Sequence, residues 1–170
     1  ESTLGDAFGS ALRVPDYGFF LNDLLTSFSA DPASEKDPQS AALISGGQRP
    51  RGPEAPTFIF KNGKPSILLN AYGPDDPAAV LLNVLVQRID LGSSCSKALE
   101  APRLWVQGKV QRMESGLYDQ ETTRLKLSLL GHDIEKADPI GLAQMVCFEE
   151  GSDRIEAESD PRSTGEAAGF

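Results

Sequence analysis

The chain has 170 residues and an apolar share of 39%, enough for one domain with a real core, and no apolar run approaches the length that spans a bilayer. A formal charge of −9 excludes nucleic acid and anionic membrane surfaces as natural partners, since both need a basic face. A sole histidine and two widely spaced cysteines leave no multi-histidine zinc site and no metal-ligand spacing.

The chain opens on Glu1 with no start methionine and no signal-like stretch, so upstream sequence is expected. "GSALRVPDYGFFLND", residues 9–23, breaks short apolar segments with Pro15, Asp16 and Gly18, as for strands joined by a turn. From Ser29 to Pro56 the composition shifts to Ser, Asp, Pro and Gly. This is a long polar loop within a single 1–170 domain. "TFIFKNGKPSILLN" then predicts a β-hairpin, with Asn62-Gly63 suited to a type I′ turn.

The clearest helix follows. Asp76 can cap it, Pro77 fits its first position and Gly92 can end it. Ala78, Leu81, Leu82, Leu85 and Ile89 keep helical spacing, and Val80, Val84 and Val86 widen the apolar face. So apolar a helix is expected to be covered on most sides by a sheet or another subunit. "SCSKALEAPRLWV" predicts a short helix stopped near Pro102, and "LWVQGKVQRM" predicts strands. "YDQETTRLKLSLLG" predicts a helix capped near Asp119, and "AQMVCFE" with "RIEAE" a closing strand pair. Hairpin, helices, then strands define an α+β arrangement. Cys95 and Cys147 are read as two buried free thiols, with a disulfide as the alternative. His132, just past Gly131 in "LLGHDIE", is read as a surface histidine at a helix C-terminus rather than a catalytic base.

Four segments taken together, "FGSALRVPDYGFFLND", "QRP…APTFIFKNGKP", "AAVLLNVLVQRIDLG…KALEAPRL" and "SDPRSTGEAAGF", resemble the small subunit of the γ-glutamyltransferase (glutathione hydrolase) family. The tail and "EAPRL" are the most specific pieces. The resemblance implies the C-terminal half of a four-layer αββα N-terminal-nucleophile hydrolase, the other half coming from the large subunit of the same precursor. It also implies an N-terminal threonine nucleophile freed by self-cleavage, acting on glutathione or another γ-glutamyl compound without metal or organic cofactor. The family's location is extracellular, periplasmic or anchored through the large subunit, with no direct membrane contact by this segment.

The family's small subunit starts about sixteen residues upstream of Glu1 by this resemblance, so the nucleophile lies outside the sequence. Thr3 falls where a second threonine supports it. Five positions that hold the substrate's α-amino and α-carboxylate groups in the family are occupied here by Gly5, Leu24, Ser27, Gly52 and Pro53. Leu24 offers no acceptor to an ammonium, and Gly52-Pro53 replaces a hydroxyl-bearing pair. The oxyanion turn, Gly-Gly in the family, reads Tyr72-Gly73. Three readings result: a γ-glutamyl hydrolase or transferase with impaired recognition, a threonine-nucleophile hydrolase of a different amide, or an inactive member serving as a structural or interaction subunit.

Overall fold

A computed structural model describes residues 4, 8–28, 43–44, 46–50, 55–72 and 77–168, arranged in two units, 1–53 and 54–170. Most of the polar stretch 29–56 lies outside the described residues.

In the first unit, residues 8–23 fold back on themselves as expected, but through a single bridge, Arg13 opposite Phe20, in place of paired strands. Two flanking hydrogen bonds support it, Val14 N to Phe19 O at 2.9 Å and Leu21 N to Leu12 O at 2.9 Å. Regular strands fail because Phe8, Gly9, Ala11, Asp16 and Gly18 all take positive φ, which interrupts an extended backbone. Gly9 is required where it stands: a Cβ there would lie 2.2 Å from Leu21 O. A 3₁₀ turn, Leu24–Ser27, follows.

The second unit begins with the expected hairpin, β1 (Thr57–Lys61) and β2 (Lys64–Tyr72). Asn62 and Gly63 have φ of 53° and 75°, the two positive values that a type I′ turn demands. Helix α1 (Pro77–Leu85) opens on its proline and continues as a π-helical turn, Val86–Asp90, closed by Leu91 N to Val86 O and by Gly92 at φ 67°. Next come α2 (Cys95–Glu100), β3 (Leu104–Gln107), β4 (Val110–Met113), α3 (Ser115–Tyr118), α4 (Glu121–Leu129) and β5 (Asp133–Lys136). The expected closing pair is β6 (Leu142–Phe148) and β7 (Ile155–Ser159).

Two sheets result, an antiparallel one ordered β1-β2-β6-β7 and a smaller one ordered β3-β4-β5 in which β4 and β5 run parallel. Alternation along β2 and β6 sends Ile67, Leu69, Ala71, Ala143, Met145 and Cys147 to one face. There they meet Val80 and Val84 of α1 and Cys95, Ala98 and Leu99 of α2 to form the core. Each large aliphatic side chain buried in this layer contributes about 1.5–3 kcal/mol. The opposite face of the large sheet carries one apolar row, Phe58, Leu68 and Val146 across three strands, beside a polar row of Asn70, Gln144 and Ser159, and Phe58 is 63% exposed. Helix α1 presents its valines to the sheet while Leu82, and Ile89 in the π-helical turn, remain exposed.

Three expectations need correction. Cys95 and Cys147 are joined in a disulfide, their Cα atoms 6.5 Å apart, which ties the start of α2 to the end of β6. Free thiols and a bridge look alike in one sequence, because both favour burial. Asp119 does not N-cap α4, whose N-cap is Gln120: it closes α3 as its C-cap, and its carboxylate pairs with Lys136 Nζ at 3.1 Å. Strand β5 was not expected at all, since "DIEK" carries one apolar residue. Its pairing with β4 comes from the β4 edge rather than from its own pattern.

Candidate functional site

The residues singled out for chemistry fall in different places. Thr3, Gly5, Gly52, Pro53 and Gly73 lie outside the described residues. Leu24 and Ser27 are the first and last residues of the 3₁₀ turn, both half-buried. Ser27 donates its hydroxyl to Leu24 O at 2.7 Å, and Leu24 N is held by Asn22 Oδ1 at 3.2 Å. Tyr72 ends β2, half-buried and paired with Leu142 of β6. His132 is exposed, as expected, and its Nδ1 contacts Gln111 Nε2.

What the second unit does bring together is a buried charge cluster made from the two most specific sequence strings. Arg103 of "EAPRL" and Asp160 and Arg162 of "SDPR" meet Glu114, the residue after β4. Arg103 Nη2 donates to Asp160 Oδ2 at 2.5 Å, with both side chains at most 1% exposed. Arg103 Nη1 donates to Ile140 O at 2.9 Å and Gly141 O at 3.0 Å. Asp160 Oδ2 also accepts Ala143 N at 2.9 Å. Arg162 Nε donates to Glu114 Oε1 at 2.7 Å and its Nη2 donates to Glu114 Oε2; Nη1 reaches Leu99 O at 2.8 Å and Asp160 Oδ1 at 3.1 Å. Glu114 further accepts Arg103 N at 2.8 Å and Ile140 N at 2.9 Å.

Two cations and two anions balance, and each carboxylate accepts several donors, which is what burial of charge demands. Burial lowers the pKa of Arg103, with the hydrogen bond and charge of Asp160 opposing it. For Arg162 burial acts in the same direction, but hydrogen bonds and charge from Glu114 and Asp160 outweigh it and the pKa is raised. Both guanidiniums stay charged over the physiological range. The cluster therefore binds the end of α2, the starts of β3 and β6 and the chain after β7 into one frame.

A cleft of about 530 Å³ lies beside it, lined by Pro102, Glu114, Gly116, Asp138, Pro139 and Arg162 among others. Its polar groups are already engaged. Asp138 accepts Ser115 N at 3.0 Å and the Ser115 hydroxyl, which holds its carboxyl below the usual aspartate range. The Ser115 hydroxyl is thus committed to Asp138, and His132 is engaged at Gln111. The strings "EAPRL" and "SDPR" were conspicuous in the sequence. That they meet was not legible, since Arg103 and Asp160 are 57 residues apart.

The comparisons with known proteins agree with this architecture. The gamma-glutamyltranspeptidase family model matches residues 2–170. A glutathione hydrolase proenzyme of Bacillus subtilis (strain 168) is 27% identical over 99% of this chain and 28% of its own length. An acylase ACY 1 proenzyme of Pseudomonas sp. (strain SE83) is 28% identical over 79% of this chain and 23% of its length. The chain thus spans about a quarter of the length of these curated relatives. Among solved structures, a Helicobacter pylori gamma-glutamyltranspeptidase mutant superposes with a TM-score of 0.77, covering 96% of this chain and 91% of that one at 24% identity. The fold is therefore the α+β fold of the N-terminal-nucleophile hydrolases. This chain belongs to the gamma-glutamyltranspeptidase family.

Proposed function

We propose that the chain is the small-subunit segment of a self-cleaving proenzyme that hydrolyses or transfers the acyl group of an amide through an N-terminal threonine. The observation that carries this reading is the match of residues 2–170, end to end, to the family. In the proposed reaction the threonine hydroxyl attacks the amide carbonyl while its own α-amine takes the proton. The amine product leaves with that proton, and water or an acceptor amine then releases the acyl group from the resulting ester. Thr3 supports the nucleophile. The oxyanion role, stabilising the carbonyl oxygen as negative charge develops on it, falls to the backbone N–H groups of Tyr72 and Gly73. The chemistry calls on no metal or organic cofactor.

γ-Glutamyl recognition is weakened in this reading. A desolvated α-ammonium requires acceptors, and Leu24, half-buried at the head of its turn, offers only hydrocarbon. Gly5, Ser27, Gly52 and Pro53 alter the other contacts. Leu24 also favours the second reading, in which the acyl group carries no α-ammonium; one relative is named an acylase proenzyme. The partner is the large subunit of the same precursor, which would cover the apolar row of Phe58, Leu68 and Val146. No helix of the described residues is long and apolar enough to cross a membrane. Placement outside the cytosol is supported by the Cys95–Cys147 disulfide, since such bonds persist in oxidising compartments.

Intact mass of the full-length protein after purification tests the proposal. Two chains, the smaller beginning on a threonine upstream of Glu1, are expected, followed by faster turnover of an uncharged N-acyl anilide than of glutathione. A single uncut chain would favour the inactive, structural member instead.

A further inference from the structure

The end of β2 and the first turn of α1 approach each other across one residue. Gly141, buried and at φ 52°, stands immediately before Leu142, the partner of Tyr72. A Cβ on Gly141 would lie 2.4 Å from Val80 Cγ2 and 3.6 Å from Tyr72 O. The first distance is one that real Cβ atoms do not show, so any side chain here must push α1 off the strand. Val80 is fully buried and cannot swing aside.

The position of Gly141 is itself fixed from behind. Arg103 Nη1 takes the carbonyls of Ile140 and Gly141, and Asp160 Oδ2 takes the N–H of Ala143, so one buried ion pair grips residues 140–143 at both ends. Buried pairs are commonly no better for stability than apolar residues of equal volume. Their use here is directional: the guanidinium and the carboxylate each prescribe where a backbone group must stand.

We propose that Gly141, held by the Arg103–Asp160 pair, is a spacer that sets the separation of Tyr72 from Val80 and so positions Tyr72, the candidate oxyanion residue at the end of β2. Gly141, Arg103 and Asp160 are positioning residues that act through the backbone of β2 and the first turn of α1. The catalytic part of this inference rests on the reading of Tyr72 given above.

The test uses the full-length protein, γ-glutamyl-p-nitroanilide as a chromogenic probe, and amide hydrogen exchange of the α1 peptide, Pro77–Leu85, as a readout independent of turnover. Gly141→Ala is expected to lower kcat about 100-fold at unchanged KM, the scale of an ångström-sized misplacement. It should also speed exchange of that peptide about tenfold, as local opening becomes easier. Adding Val80→Ala removes the obstructing methyl and recovers part of both, the remainder being the strain of a Cβ at φ 52°. Arg103→Met with Asp160→Leu, an apolar replacement that also serves if Gly141→Ala fails to fold, is expected to reproduce both losses without rescue by Val80→Ala. A folded Gly141→Ala protein with unchanged exchange overturns the proposal, as does a loss that Val80→Ala does not reduce at all. A wild-type protein that never turns over the probe removes the catalytic role of Tyr72, while exchange still decides whether Gly141 is the spacer.

Discussion

Glu114 grips Arg162 along one edge of its guanidinium, Oε1 to Nε and Oε2 to Nη2, and the same two oxygens accept the backbone N–H groups of Arg103 and Ile140. One carboxylate thereby satisfies four donors from three separate stretches of chain. Its side chain is 5% exposed, so no water can replace a lost partner.

Glu114→Gln substitutes an amide NH₂ for one of those oxygens and turns it toward donors. The expected cost is about 3–5 kcal/mol, the range for breaking a buried pair by changing one member. Urea denaturation followed by tryptophan fluorescence from Trp105 measures it. A loss below 1 kcal/mol would show that Arg162 finds other acceptors.

Reduction of the Cys95–Cys147 bond releases a sequence separation of 52 residues. On the chain-entropy scale this lowers stability by about 2–4 kcal/mol. Because both cysteines are nearly fully buried, reductant should act only on partly opened molecules. The measurement is a pair of denaturation curves, with and without a phosphine reductant, checked by thiol mass labelling. Coincident curves with both thiols labelled would contradict it.

At the β1–β2 turn, Asn62→Val places a β-branched residue at φ 53°. A penalty of about 1–2 kcal/mol is expected from the left-handed backbone. Asn62→Gly should be nearly neutral, and thermal unfolding of the two variants side by side separates backbone strain from loss of the asparagine amide.

Asp138 supplies a pH dependence of known sign. Its hydrogen bonds from Ser115 depress the folded-state pKa, so unfolded chains protonate first as pH falls. The contribution is complete above about 3.9, the ordinary aspartate value, and is lost as pH drops through the lower folded value. The carboxylate is exposed, so solvent screening keeps the effect small. Carbon-13 NMR titration of the Asp138 carboxyl should give a midpoint below the ordinary value, and Ser115→Ala should return it toward that value.

Legibility in the sequence followed the range of the forces involved. Asn62-Gly63, Pro77 and Gly92 act within a few residues, and the hairpin and α1 were readable from them. Strand β5 depends on the edge of β4 and was invisible in "DIEK". The cysteines were visible but their bond was not, since burial is common to both states. Of the candidate site, Tyr72, Leu24 and Ser27 could be placed. Arg103 and Asp160 stood in conspicuous strings, yet nothing local told of their meeting across 57 residues.

Helix α2 has six residues, too few to hold itself together in isolation. Its first residue is covalently tied to β6, and the carbonyls of Leu99 and Ala101 at its far end receive Arg162. Two fasteners of different chemistry secure opposite ends of one short element. The arrangement confers redundancy: divergence can remove the sulfur bridge while the arginine keeps the helix seated, so related chains can drift in cysteine content without drifting in shape.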